Sequence, residues 1–599
     1  MIHKSGTIGY MPGLDGLRAL AVFAVIAYHV DMPWASGGLL GVGLFFVLSG
    51  YLITNILLAQ WERDGEIDLK DFWLRRAKRL LPALFMMLAA ATLWILIFDA
   101  ERLITLKNEI LAATLYYSNW YLIFNHVSYF EQFGPPSPLG HLWSLAIEEQ
   151  FYIIWPLLLI LMLRCFSKRK WLIAGTAAII LASVLIMTLL YVPGEDPSRV
   201  YYGTDTRAFA LLIGALLAIV LRGLKLPYGL SGKQMIALDG AGIISLIIVI
   251  WMVVKANQYQ DFLYPGGLLL YSVATACLVA VLAHPASCSG RVFALPPLRW
   301  LGERSYGIYL WHYPVVVLTS PAVNTSGPDP VRTLLQITVS VALAAISKAL
   351  IEDPIRFGRQ KSHFYQRRNF NIRQKSIMRI PISLLAIALV LFITTSVIPQ
   401  FPAAPVSGVN AVYADQTEPQ LSEPAAQDIL ETPELPEPPA EPVTGELITV
   451  IGDSVMVGVE PYLRESLPGV VVDAKISRQM RVANDVISQL ESDGELRKIV
   501  IIELGTNGPF TEEQLIGVLD RLEGADAIFL INARVPRHWE QAVNEMIVNV
   551  AECYPYVHSI DWYSESSGHD EYFYSDGVHL KSVGANAYCA MLIKAVNSI

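Results

Sequence analysis

The chain has 599 residues, 54% of them apolar and only 16% charged, with a formal net charge of -9. That make-up excludes a single soluble domain and points to a polytopic membrane protein. The five cysteines (Cys165, Cys277, Cys288, Cys553 and Cys589) show neither CxxC nor Cys/His spacing, so no metal partner is expected, and none of nucleic acid either.

Apolar runs long enough to span a bilayer lie near 14–31, 38–60, 81–98, 143–163, 173–192, 206–222, 235–254, 263–283, 305–320, 333–351 and 379–398. A shorter aromatic piece at 109–124 reads as interfacial or re-entrant. The first run carries Arg18 and His29 and lacks a small-residue cleavage site, which predicts a retained helix rather than a signal peptide. Basic clusters recur at Arg75–Arg79, Arg164–Lys170, Arg222–Lys233, Arg291–Arg304 and Arg356–Arg379, while the alternate loops carry few basic residues. With eleven spans and a cytoplasmic N-terminus, every cluster faces the cytoplasm. A multi-pass cell-membrane protein in contact with lipid is expected, with everything after residue 398 outside the cell.

Ionisable groups inside spans are costly and therefore informative. Arg18 and His29, eleven residues apart on one helix, are separated by about 16 Å along its axis. Glu148, near the start of the fourth span, is expected at the depth of His29. The two form either a base and its orienting carboxylate or a buried polar contact that fixes packing. Ser305, Tyr309 and His312 fall near one face of the ninth span, and Asp205 with Arg207 reads as a structural ion pair. Arg76 and Arg79 are either topology charges or binders of a phosphorylated donor.

Between Phe401 and Gly445 there are nine prolines and eight acidic residues, and no Lys or Arg occurs from Ile380 to Leu463. Such a stretch cannot bury a core and reads as an extended spacer. Residues 446–599 read as a compact α/β domain with strands at Leu447–Ile451, Lys498–Leu504, Ala527–Asn532 and Val557–Trp562. The first strand runs into Gly452-Asp453-Ser454 and the second into Gly505-Thr506-Asn507; Asp576-Gly-Val-His579 follows near the C-terminus. Open parallel sheets place active residues at such C-terminal strand ends. Cys553 and Cys589 share this domain, where they are either a disulfide or two packed thiols.

The motifs of the first half, taken together, resemble the acyltransferase-3 family of integral membrane acyltransferases over residues 10–355. They are Arg18 with His29, Gly43-Leu-Phe-Phe-Val-Leu-Ser49-Gly50-Tyr, Arg76-x-x-Arg79-Leu-Leu-Pro82, His141-Leu-Trp-Ser-Leu-Ala-Ile-Glu148-Glu-Gln-Phe-Tyr and Ser305-Tyr-Gly-Ile-Tyr-Leu-Trp-His312. The resemblance implies acetyl-CoA as a cytoplasmic donor substrate rather than a resident cofactor. It also implies Arg18, Arg76 and Arg79 near the donor and His29 as the catalytic histidine. Residues 446–599 resemble the SGNH hydrolase/acyltransferase superfamily, with its flavodoxin-like three-layer fold. That implies Ser454 as nucleophile, His579 as general base, Asp576 as its orienter, and the Ser454 amide with the Asn507 side chain as oxyanion hole. Ser477 stands where the superfamily usually has glycine and is assigned to the same hole.

Four segments are therefore expected: an acyltransferase-3-like membrane domain (1–355), a basic loop with one further helix (356–400), an acidic linker (401–445) and an extracellular SGNH-like domain (446–599). Their fusion in this order resembles the bacterial peptidoglycan O-acetyltransferases, which modify N-acetylmuramic acid and blunt lysozyme. The implied function is acetyl transfer to a wall glycan hydroxyl. Teichoic acid, capsule, lipopolysaccharide or a secreted polysaccharide as acceptor, and an exported esterase, are the competing readings.

Overall fold

The computed structural model describes residues 10–357 and 444–598, apart from 101, 126, 129–135, 167, 193–195, 225–229, 257, 259, 322–328, 477, 538 and 575. The expected eleventh span and nearly all of the linker lie outside the described residues. Ten long helices occupy the other expected spans: α1 Pro12–His29, α2 Gly41–Asp64, α3 Leu69–Phe98, α4 Trp143–Cys165, α5 Arg169–Leu190, α6 Thr204–Gly223, α7 Gly232–Lys255, α8 Gly267–Ala283, α9 Ser305–Thr319 and α10 Pro330–Ser347. Among the described residues seven are long and apolar enough to cross a membrane: α2 to α7, and α10 with its continuation to Arg356. Helices α8 and α9 are shorter, at 17 and 15 residues, and α1 carries Asp15, Arg18 and His29. The piece at 109–124 falls in two short helices, Arg102–Thr114 and Ser118–Phe124, broken at Tyr116 with φ of 55°.

Helix α1 buries 13 of its 18 residues, so its polar groups face protein rather than lipid. The apolar window of α2 is 78% buried against 22% for α5 and 28% for α7, which makes α2 an inner helix and the other two peripheral. Helices α2 and α6 meet at glycines. A Cβ on Gly50 would fall 1.8 Å from the Leu211 carbonyl oxygen, and one on Gly214 would fall 2.0 Å from that of Val47. Small residues allow this backbone approach, which larger side chains would forbid.

The C-terminal segment is a five-stranded parallel sheet in the order β2-β1-β3-β4-β5. The strands are β1 Ile448–Gly452, β2 Val471–Ala474, β3 Ile499–Glu503, β4 Ala527–Ile531 and β5 Val557–Ile560. Every residue of β1, β3 and β4 is buried, as continuous apolar runs in a parallel sheet should be. Strand β2 was not expected from the sequence. It is a four-residue edge strand, half-buried throughout, in which the run Val470-Val471-Val472 gives way at once to Asp473. Helices α11 Ser454–Ser466, α12 Ala483–Asp493, α13 Glu512–Arg521, α14 Glu540–Ala551 and α15 Ser582–Val596 follow. The strand order reverses between β1 and β3, and the crevice outside their carboxyl ends is where such sheets bind ligands. All five cysteines are free thiols, Cys589 buried and Cys553 exposed.

Candidate functional site

Strand β1 ends at Gly452, and the chain turns at once into α11, whose first residue is Ser454. Asp453 makes the turn: its Oδ1 accepts the Val455 amide at 3.0 Å and caps the helix. Ser454 is thereby held at the helix N-terminus, where a developing negative charge is favoured. Its Oγ is buried without a hydrogen-bond partner; catalytic hydrogen bonds of this kind often tighten only with substrate bound.

The expected base and its orienter stand together on the segment between the 3₁₀ turn Asp570–Tyr572 and α15. Asp576 Oδ2 lies 2.7 Å from His579 Nδ1, while Oδ1 accepts the amides of Val578 and His579, both at 2.9 Å. An ionised carboxylate only accepts, so Nδ1 carries the proton and Nε2 presents its lone pair. Burial raises the Asp576 pKa, but the hydrogen bond to His579 and the two amides outweigh it, and the net shift is downward. The bond to His579 therefore stabilises the fold above the ordinary carboxylate pKa of about 3.9, and that stability is lost as pH falls through the lower folded value. In Asp576→Asn, transfer is expected to drop by about 10⁴-fold through the wrong imidazole tautomer. Acid titration followed by circular dichroism should show the variant losing less stability below pH about 4 than the wild type.

The loop after β3 carries the remaining donor. Asn507 Nδ2 is buried and unpaired, and the Asn507 carbonyl accepts from Gln479 Nε2 at 2.8 Å. Gly505 holds φ at 152°, and its carbonyl accepts from the buried Trp539 indole at 3.0 Å. A Cβ there would also stand 3.0 Å from Val543 Cγ1. Gly505→Ala is expected to cost about 1–3 kcal/mol, read as a lower thermal midpoint; an unchanged midpoint would show that the loop tolerates the side chain. Ser477, the third expected oxyanion contributor, lies outside the described residues. Its neighbour Arg478 is pinned to Asp473 Oδ1 at 2.6 Å and to the Gly452 carbonyl at 3.2 Å.

A second polar region lies inside the helical segment. Arg18, Arg76 and Arg79 line both an open cleft of about 870 Å³ and an adjoining small cavity of about 70 Å³. Arg18 is paired with Asp15 at 3.2 Å. Tyr10, Arg299, Lys348 and Arg356 line the cleft, and Glu148, Ser144 and Tyr309 line the cavity. The structure thus brings the three expected arginines together, in a cleft that Asp15, Glu303 and Asp353 also line. From the cavity a hydrogen-bonded series leads on. Ser144 Oγ is 2.5 Å from the Tyr309 hydroxyl, the Tyr309 carbonyl is 2.7 Å from His312 Nδ1, and His312 Nε2 is 3.0 Å from His29 Nδ1.

The expected His29–Glu148 pair is corrected by this arrangement. Glu148 accepts from the hydroxyls of Ser49 and Tyr152 in the cavity, and His29 pairs with His312. A 3₁₀ turn, Gly140–Leu142, precedes α4 and puts His141 against His312, with ring centroids 5.6 Å apart. Glu148, seven residues further on, then lies about 10 Å deeper. Asp205 likewise pairs with Arg199 at 2.8 Å rather than with Arg207, whose guanidinium faces the Tyr201 ring at 5.0 Å. The sequence puts His312 on a polar face of α9, and nothing in its spacing marks it as the partner of His29. Gln479 carries no signal in its flanking sequence.

An apolar helical segment with a cationic cleft, followed by a parallel α/β segment with a serine at a strand end and an Asp–His pair before its last helix, is the make-up of a membrane acyltransferase. Residues 11–351 match the acyltransferase-3 family, described as an acyltransferase domain, and the chain belongs to that family. It is 43% identical to the peptidoglycan O-acetyltransferase OatA of Listeria monocytogenes, over 98% of each chain. It is 40% identical to the putative peptidoglycan O-acetyltransferase YrhL of Bacillus subtilis, over 100% of both. A solved C-terminal catalytic domain of Streptococcus pneumoniae peptidoglycan O-acetyltransferase A aligns with 25% of this chain and 92% of that one, at 23% identity and a TM-score of 0.24.

Proposed function

We propose that the protein takes acetyl from cytoplasmic acetyl-CoA, passes it through the membrane segment to Ser454, and transfers it to a hydroxyl of the cell wall, the C6 hydroxyl of N-acetylmuramic acid in peptidoglycan. The observation that carries this reading is the presence in one chain of an arginine-lined cleft and the Ser454, His579 and Asp576 group. The full-length likeness to proteins named peptidoglycan O-acetyltransferases supports the acceptor. The basic clusters support a cytoplasmic cleft and an extracellular sheet, with 1–355 and 446–599 as the two working domains.

In the first stage Arg18, Arg76 and Arg79 hold the phosphates of the donor, and His29, oriented by His312, removes the proton of the accepting hydroxyl. The thioester carbonyl is attacked, the C–S bond breaks, and coenzyme A leaves as the thiol. A serine or tyrosine hydroxyl carries the acetyl onward, and Ser144 and Tyr309 stand between the cleft and His312. In the second stage Ser454 Oγ becomes acetylated as His579 Nε2 accepts its proton. The Ser454 amide and Asn507 Nδ2 stabilise the tetrahedral oxyanion, and His579 passes the proton to the departing carrier oxygen. A sugar hydroxyl, deprotonated by the same imidazole, then attacks the acetyl carbonyl, and Ser454 Oγ leaves with that proton.

Inverted membrane vesicles supplied with radiolabelled acetyl-CoA test the route. Label is expected on a proteolytic fragment containing Ser454. In Arg76→Ala/Arg79→Ala it is expected to fall at least about tenfold, since each lost charge-assisted contact weakens binding by about 1.5–3 kcal/mol. Label that reaches the fragment equally in the double variant would remove the arginines from the donor site.

A further inference from the structure

Strand β3 is apolar until its last residue, Glu503, which is only 4% exposed; Asp453, beside it at the end of β1, is 0% exposed. The two carboxyls are side by side: Glu503 Oε2 accepts the Asp453 amide at 3.0 Å, and Glu503 Oε1 accepts the Thr506 hydroxyl at 3.3 Å. Asp453 Oδ1 is taken by the Val455 amide, and the buried carboxyl is also faced by the side chains of Glu503, Asn507 and Thr506. Two adjacent carboxylates cannot both stay ionised away from water. A proton on Glu503 lets the two carboxyls share a hydrogen bond instead of repelling.

We propose that Glu503 is a positioning residue of the Ser454 site, held protonated, that ties together the two segments supplying the oxyanion donors. It grips Asp453, the residue before the Ser454 amide, and Thr506, the residue before Asn507. The assignment rests on the reading of Ser454 as nucleophile. The surroundings favour the neutral form. Burial and the Asp453 carboxyl push the Glu503 pKa well above the carboxylate range. From α15, Tyr588 faces the pair, with the buried Cys589 beside it; the Tyr588 hydroxyl is itself raised by burial and by the two carboxyls. The cation of the neighbouring loop, Arg478, is bound to Asp473 and to the Gly452 carbonyl. Ionisation of Glu503 at high pH places a second negative charge beneath the oxyanion, so catalysis should fall on the alkaline side. Between that point and the Asp453 pKa, which burial pushes up to about 6, the pair carries one charge and the site is intact.

The test uses the full chain in detergent, with a water-soluble acetyl ester as donor and chito-oligosaccharide as acceptor, and follows kcat and KM against pH. Glu503→Ala should lower kcat by about 10²-fold, as loss of an oxyanion donor does, with KM changed less than about threefold. Glu503→Gln, which keeps a neutral donor and acceptor, should recover all but about tenfold of the rate and remove the alkaline fall. A core polar contact without this role would lower the thermal midpoint of both variants and leave the pH profile unmoved. An alkaline limb in Glu503→Gln equal to that of the wild type overturns the proposal. Ser454→Ala, assayed alongside, separates the two readings. An inactive Ser454→Ala with an unmoved limb sinks Glu503 alone, and an active one sinks the nucleophile and Glu503 together.

Discussion

Cells carrying Ser454→Ala in place of the wild-type chain are expected to show wall-bound O-acetyl at background, with the protein present at its normal level. Loss of a serine nucleophile lowers kcat by about 10⁶-fold in the best-measured case, far beyond what a wall assay resolves. Two features of the structure make the effect local. Ser454 Oγ has no hydrogen-bond partner to lose, and the turn is held by Asp453 rather than by the serine side chain. His579→Ala should give a similar loss, and the double variant no further one, because the groups act as a unit. Alkaline release of acetate from purified wall, read by chromatography, is the measurement; unchanged acetate in Ser454→Ala would refute the second stage.

The second large effect is expected at the other end of the route. His29→Ala should lower wall O-acetyl by about 10²–10⁴-fold, the usual contribution of a general base. Unlike Ser454→Ala, it should leave the detergent-solubilised full chain able to move acetyl from a water-soluble ester to chito-oligosaccharide. This pattern separates supply from transfer. Equal loss in both assays would mean that His29 supports the fold or the Ser454 site instead. His312→Ala is expected to follow His29→Ala, because His312 Nδ1 is committed to the Tyr309 carbonyl and Nε2 meets His29.

The Ser454 site was legible because its signals are short-range. Gly452-Asp453-Ser454 ends an apolar strand, Asn507 follows the next, and Asp576 and His579 are close enough in sequence to share one loop. The membrane half was legible as segments and less so as contacts. Depth was judged from where each span begins, and the 3₁₀ turn at Gly140–Leu142 shifts the faces of α4, so that His141 rather than Glu148 meets the His29–His312 pair. Strand β2 had its sign in Val470-Val471-Val472, but that run is three residues long and ends at Asp473, shorter than the apolar runs of β1, β3 and β4. Glu503 did carry a sign in the sequence: an acidic residue closing a strand otherwise made of isoleucine and valine has to be neutral, paired or both.

The position of α1 has a consequence for which acyl groups the protein can use. Its Arg18 end opens on the cleft and its His29 end meets the histidine cluster, with a continuous helix between them, so the two ends form a gauge of fixed length. The His29 ring is flanked by Tyr28, His312 and Tyr313, with centroids 5.4, 5.0 and 4.7 Å away. On the proposed route, a donor held by its phosphates at Arg18 would bring its thioester towards these rings, and bulk on its acyl chain would meet them first.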